Sequence, residues 1–145
     1  MYSSPEDLKL LISEKELVQL CRDNSGQGFA DDHVQDVLAE AIDQADSEID
    51  GYIGVAVRLP LSSVAGMIAN LSGKIAVYNL LRRRPSIPDH WQSEYKRCLD
   101  LLKGIARGDL KLPVSAEADP APESIGQVVV SAPEKRFTDE VWSKF

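Results

Sequence analysis

Apolar residues recur at steps of three and four along most of the first 112 positions, and charged residues fill the gaps between them. That spacing puts one apolar stripe on each of several helices. The opening "SSPEDLKLLI" carries a helix start: Ser4 as cap, Pro5 at the first helical position, and Glu6 and Asp7 near the positive helix end. It predicts a short helix. "SEKELVQLC" repeats the device, since Ser13 and Glu16 stand at capping-box spacing ahead of Leu17, Val18, Leu20 and Cys21. Over residues 32–53, Val34, Val37, Leu38, Ala41, Ile42, Ala45, Ile49, Tyr52 and Ile53 form a single stripe, which predicts a long amphipathic helix.

"GVAVRLPL", with Gly54, Val55, Val57 and Pro60, reads as an extended connector whose apolar side chains lie on the bundle. From Ser63 to about Arg83 a second long helix is expected, stopped by Pro85, with Gly66 and Gly73 marking a close helix crossing. A third begins near Pro88 and carries Trp91, Tyr95, Cys98, Leu99, Leu102 and Ile105 on one side, until the glycines of "GIARGDLKLP" end it. Residues 113–124, "PVSAEADPAPES", are a Pro/Ala/acid linker with nothing to pack, able to span about 40 Å when extended. The expected organisation is a helical domain over residues 1–112 and a linker with a docking arm over residues 113–145.

Composition narrows the function classes. A chain of 145 residues, 43% hydrophobic and 27% charged, fits one small domain. Charges interrupt every apolar run and the first residues include an acid pair, so neither a membrane span nor an export signal is expected. The net charge of −7 divides as −4 over residues 1–112 (13 basic, 17 acidic) and −3 over residues 113–145 (3 basic, 6 acidic). Such a surface argues against gripping phosphates, though not against standing beside DNA.

Candidate chemistry is sparse. "DNSGQGFADDHV" places Asp23, Ser25, Gln27, Gly28 and Asp31 in the register of an EF-hand loop, but Val34 occupies the position that needs a bidentate Glu. A glycine-containing turn into an Asp-capped helix is the plainer reading, and no metal or cofactor is expected. Cys21 and Cys98 lack the clustering of a zinc or redox site and read as buried, inert thiols. His33 and His90 belong to no catalytic or metal-spaced set, so catalysis is not expected. Asp36, Glu40, Asp43 and Asp50 recur along one side of the long helix, as a solvated face or as a negative surface lining a channel. Arg82, Arg83 and Arg84 suit a helix C-terminus or a phosphate contact.

The C-terminal segment gives the strongest local signal. Val128, Val129 and Val130 have strand propensity without a hairpin partner, and Phe137, Val141, Trp142 and Phe145 follow like one face of a short helix that Thr138 can cap. A lone strand is unstable in water. The segment either folds back on its own bundle or docks on another subunit by strand addition and aromatic anchors.

Taken together, "MYSSPEDLKLLI", "DQADSEIDGYIGVAVRLPL", "SGKIAVYNLLRRRP" and "VVVSAPEKRFTDEVWSKF" resemble the small neck proteins of Mu-type tailed bacteriophages. The resemblance lies in their order and spacing. It implies a head-to-tail connector, or adaptor, in the virion neck, assembled in the host cytoplasm. By analogy with other adaptors it implies a closed ring of twelve copies below the portal, with the portal protein and a tail terminator or neighbouring tail protein as partners, and DNA passing through without specific binding. Many relatives have an acid-rich stretch where this chain has "RDNSGQG", and the chain departs from them there.

The expected fold is all-α: a bundle of four to five helices with an extended C-terminal arm able to add a short strand and a terminal helical turn. The leading function is a noncatalytic connector whose arm residues make the intersubunit contacts. The alternative is a DNA-binding or packaging accessory protein using Arg82 to Arg84 with Lys96 and Arg97. A hydrolase has no supporting constellation.

Overall fold

The computed structural model describes residues 1–21, 28–61 and 63–112. These residues form five helices: α1 (Pro5–Leu8), α2 (Glu14–Cys21), α3 (Asp32–Ile53), α4 (Gly66–Leu81) and α5 (Asp89–Ala106). Among the described residues there is no strand, so the all-α expectation holds. The arm residues Val128, Val129, Val130, Phe137, Val141, Trp142 and Phe145 lie outside the described residues, as do Asp23, Ser25 and Gln27.

Three long helices make the frame. Asp46 of α3 meets Ser72 of α4, while Val37 and Glu40 share a groove with Asn79 and Arg83, so the two helices run antiparallel. On the other side of α4, Lys74 lies near Cys98, and Tyr78, one turn further on, stacks on Tyr95, so α5 runs antiparallel to α4 and parallel to α3. α1 packs on α3 and α4, and α2 does the same. α4 is therefore surrounded. Its sequence "GMIANLSGKIAVYNLL" is apolar on nearly every side, and Ile68, Leu71, Ile75, Ala76, Val77, Leu80 and Leu81 are all buried. A helix without a polar face has to sit at the centre of a bundle. α3 and α5 are amphipathic and close over it with Leu38, Ile42, Ile49 and Ile53 from one side and Trp91, Cys98, Leu102 and Ile105 from the other.

The helix ends follow local rules. Ser4 caps α1 in a complete capping box with Asp7, and Pro5 opens the helix. The Ser13 hydroxyl accepts from the Glu16 amide at 3.3 Å at the start of α2. Asp31 caps α3 through the His33 amide. At the end of α5 the Asp109 amide reaches back to the Gly104 carbonyl at 2.9 Å and the Gly108 amide to Ile105 at 3.0 Å. This is the Schellman geometry, and Gly108 takes the left-handed φ of 80° that it requires.

Two expectations change in detail. The helix expected from Ser63 begins only at Gly66, because Ala65 is extended (ψ 141°) and offers no side chain to cap the first turn. Val64, which falls within the expected helix, consequently precedes it and is exposed. Of the glycine pair, Gly73 does sit in a close approach, since a Cβ there would lie 3.1 Å from Leu11, whereas a Cβ on Gly66 would meet nothing within 4 Å. The connector after α3 also divides: Val57 and Leu61 pack on the core, and Val55 and Leu59 face outward.

Candidate functional site

The residues that carry charge on α3 do two different jobs. Asp32, Asp36, Glu40, Asp43, Asp46, Glu48 and Asp50 all lie on this helix, which has no Lys or Arg. Asp36, Glu40 and Asp43 are exposed in its first half and middle. Asp46 is 6% exposed, and its carboxylate accepts the Ser72 hydroxyl at 2.6 Å and the Tyr2 amide at 2.7 Å. The buried hydroxyls of Ser3 and Ser72 are 2.8 Å apart and extend the network. Asp50 is half-buried and accepts the Tyr2 hydroxyl. Glu48 accepts the Tyr95 hydroxyl at 2.7 Å.

These contacts use the second half of α3 to pin the N-terminal segment and α5 to the frame. A buried carboxylate is tolerated only when its lone pairs are met, and Asp46 meets that condition through Ser72 and Tyr2. Burial first, then the hydrogen bond to Asp50, pushes the Tyr2 phenol well above its usual range. Burial first, then Glu48, does the same to Tyr95. Of the sequence-marked acids, Asp36, Glu40 and Asp43 thus share the open half of the helix, and Asp50 stands apart from them on Tyr2.

Glu40 lines a groove of about 360 Å³ between α3 and the end of α4, with Val37, Ala41, Gln44, Asn79 and Arg83. This end of the bundle is charged and polar: Arg82, Arg83, Arg84, Asp89 and His90 are exposed around it, as are Asp32 and His33 at the start of α3. Arg84 donates to the Gln19 carbonyl in the last turn of α2, the placement expected of a cation at a helix C-terminus. Arg97 lies 3.8 Å from Glu94, which also holds Lys74 at 2.9 Å.

The opposite end has another chemistry. Val55, Leu59 and Val64 in the α3–α4 connection are exposed, and so is Leu110 just after α5. Leu10, after α1, is 85% exposed. It borders an open groove of about 160 Å³ between α1 and the first half of α4, lined also by Asp7, Leu11, Gly66, Ala69, Asn70 and Gly73. These apolar side chains stand among the exposed charges of Arg58, Arg107, Asp109 and Lys111.

Among the described residues no group of three His, Cys, Asp or Glu side chains is placed to hold a metal ion. Cys21 is buried and its thiol is pushed up to about 11, chiefly by desolvation, and burial likewise raises Cys98. Neither thiol is disposed to ionise near neutrality. No described helix is long and apolar enough to cross a membrane.

The Asp46 network was the part sequence reasoning missed. One signal pointed to it: Asp46 falls four residues after Ile42 and three before Ile49, on the apolar stripe itself, where an acid needs a buried partner.

Comparison with known proteins gives one family. The profile of the family described as Bacteriophage Mu, Gp36 matches residues 2–131, the whole helical body and the first part of the C-terminal segment. Val128 to Val130 fall inside that span, and Phe137, Val141, Trp142 and Phe145 beyond it. No curated protein matches the chain. The match supports a bacteriophage structural protein.

Proposed function

We propose, on the premise that this chain belongs to the bacteriophage Mu Gp36 family, that it is a noncatalytic head-to-tail connector of the phage neck. In this reading identical copies form a closed ring, of twelve by analogy with other adaptors, below the portal protein and above a tail terminator or neighbouring tail protein. The genome passes through without specific binding. The observation that carries the reading is the family match over the entire helical body.

The physical features are those such a part needs. A ring of identical copies is held by head-to-tail contacts between unlike surfaces. This bundle has unlike ends: Val55, Leu59, Val64 and Leu110 are exposed among charges at one, whereas Arg82 to Arg84, Asp89 and His90 are exposed at the other. Asp36, Glu40 and Asp43 are exposed without a basic residue on their own helix. Facing a channel, they would repel passing phosphates and keep DNA from adhering. Val128 to Val130, Phe137, Val141, Trp142 and Phe145 would supply the contacts that join a copy to its neighbour or to the portal.

The test is assembly. Deleting residues 124–145 should leave a folded helical monomer that no longer joins the portal, read by circular dichroism and native mass measurement. A truncated chain that still assembles normally would refute the arm as the joining element. The competing DNA-binding reading requires Arg82 to Arg84, Lys96 and Arg97 to reach phosphate, yet Arg84 is engaged on Gln19 and Arg97 lies beside Glu94. Duplex binding with a salt slope tracking several phosphates would favour it. No measurable binding at low salt is expected.

A further inference from the structure

We propose that the groove between α1 and the first half of α4 is the receptor for the C-terminal arm of a second copy, with Phe137 seated in it and Arg136 on Asp7. The inference rests on the connector reading, in which identical copies stand side by side. Three observations lead to it.

The first is size and lining. The groove holds about 160 Å³. A closed apolar cavity of about 150 Å³ accepts benzene, so this open groove has room for a side chain of about phenyl size. Leu10 and Leu11 line it from the α1 side, and Gly66, Ala69, Asn70 and Gly73 from α4. The space over Gly66 is open, since a Cβ there would meet nothing within 4 Å. Leu10 is 85% exposed at the rim and offers a ring an apolar edge.

The second is charge. Asp7 lines the groove, and its Oδ2 takes both the Ser4 amide and hydroxyl, leaving Oδ1 without a partner among the described residues. Lys9 lies between Glu6 at 2.7 Å and Glu14 at 3.4 Å, so the rim is acidic on balance. In the arm, Phe137 directly follows the basic pair Lys135 and Arg136, whereas Phe145 follows the single Lys144 and Trp142 has no basic residue directly beside it. The basic pair beside Phe137 is the match for an acidic rim.

The third is reach and exit. α5 runs antiparallel to α4, so the chain leaves the bundle after Leu112 at the end where α4 begins, which is the end that carries the groove. Between Leu112 and Phe137 the chain can extend about 80 Å. α3, with 22 residues, measures about 33 Å. That reach exceeds the length of one body, so it is sufficient to bring Phe137 to the corresponding groove of an adjacent copy.

The test uses the full chain carrying Phe137→Ala, which keeps the groove and silences its own arm, and a fluorescent peptide of residues 131–145. The peptide should bind saturably. Adding Gly66→Leu to the chain, or Phe137→Ala to the peptide, should weaken binding at least about tenfold. Because the Gly66 Cβ position is open, the Gly66→Leu chain should keep its helical melting curve; should it not, Leu10→Asp at the exposed rim replaces it. Equal binding to open and blocked chains, or no saturation below about 1 mM, overturns the proposal.

Oxidising a chain with Leu10→Cys and Thr138→Cys should yield chain-to-chain disulfides in a ladder. Intramolecular closure alone, or no cross-link, overturns the assignment to a second copy. A failed titration leaves the connector reading standing, with the arm bound to another partner. Absence of the protein from the virion neck would sink the connector reading and leave the groove contact intact.

Discussion

Asp43 and Asp46 are the same residue type one turn apart on α3, and they do opposite things. Asp43 faces solvent with Asp36 and Glu40; Asp46 is buried and binds Ser72 and the Tyr2 amide. The first half of the helix keeps its charge available to whatever passes or docks. The second half spends it on holding the molecule together. What separates them is the position of each side chain relative to the apolar stripe and the polar groups that distant segments bring to it.

The comparison breaks first at Asp46. Asp46→Ala leaves the Ser72 hydroxyl and the Tyr2 amide unmet in a buried site and should cost about 2–4 kcal/mol, measured by urea unfolding. Should the loss be no larger than that of Asp43→Ala, the two halves of α3 would not differ in the way described. Tyr2→Phe removes only the hydroxyl on Asp50 and should cost about 1 kcal/mol.

The same tyrosines give a pH signature. Tyr2 and Tyr95 have folded pKa values raised by burial and by Asp50 and Glu48. An unfolded tyrosine ionises near about 10. The neutral phenols therefore contribute stability that is fully present below that pH and declines as pH rises above it toward the folded values. Unfolding free energy should fall between about pH 10 and 11, and the fall should be shallower in Tyr2→Phe. A flat profile over that range would contradict the raised phenols.

The smallest effect belongs to the open half of α3. Asp36→Asn, Glu40→Gln and Asp43→Asn should each change stability by less than about 0.5 kcal/mol, because exposed side chains without buried partners contribute little. In a DNA-ejection assay on assembled particles the triple variant should slow genome exit if these residues face the channel. Unchanged ejection would remove the channel role and leave a solvated face.

Much of the fold was legible because it is written in local rules. Ser4 with Pro5, Asp31 ahead of α3 and Gly108 after α5 act within a few residues of themselves, and the apolar stripes of α3 and α5 name their own buried faces. The start of α4 was not legible, because apolar residues continue upstream of Gly66 and no capping side chain marks the boundary. The Asp46 network was harder still. Its partners lie 44 residues away in Tyr2 and 26 in Ser72, and serine or tyrosine carries no sequence signal for a contact at that separation. Acid periodicity grouped Asp50 with Asp36 and Glu40, whereas packing joins it to Tyr2. The exposed apolar residues were visible only in part: Val64 and Leu10 look like core residues until the helix boundaries leave them outside.

The most direct measurement of the connector role is an asymmetric reconstruction of the phage neck by electron microscopy. The expected result is this five-helix body repeated around a closed ring directly below the portal, each copy's groove between α1 and α4 covered by a neighbouring chain and the Asp36 to Asp43 segment of α3 toward the channel. A neck without this protein, or copies placed elsewhere in the particle with that groove bare, would contradict it.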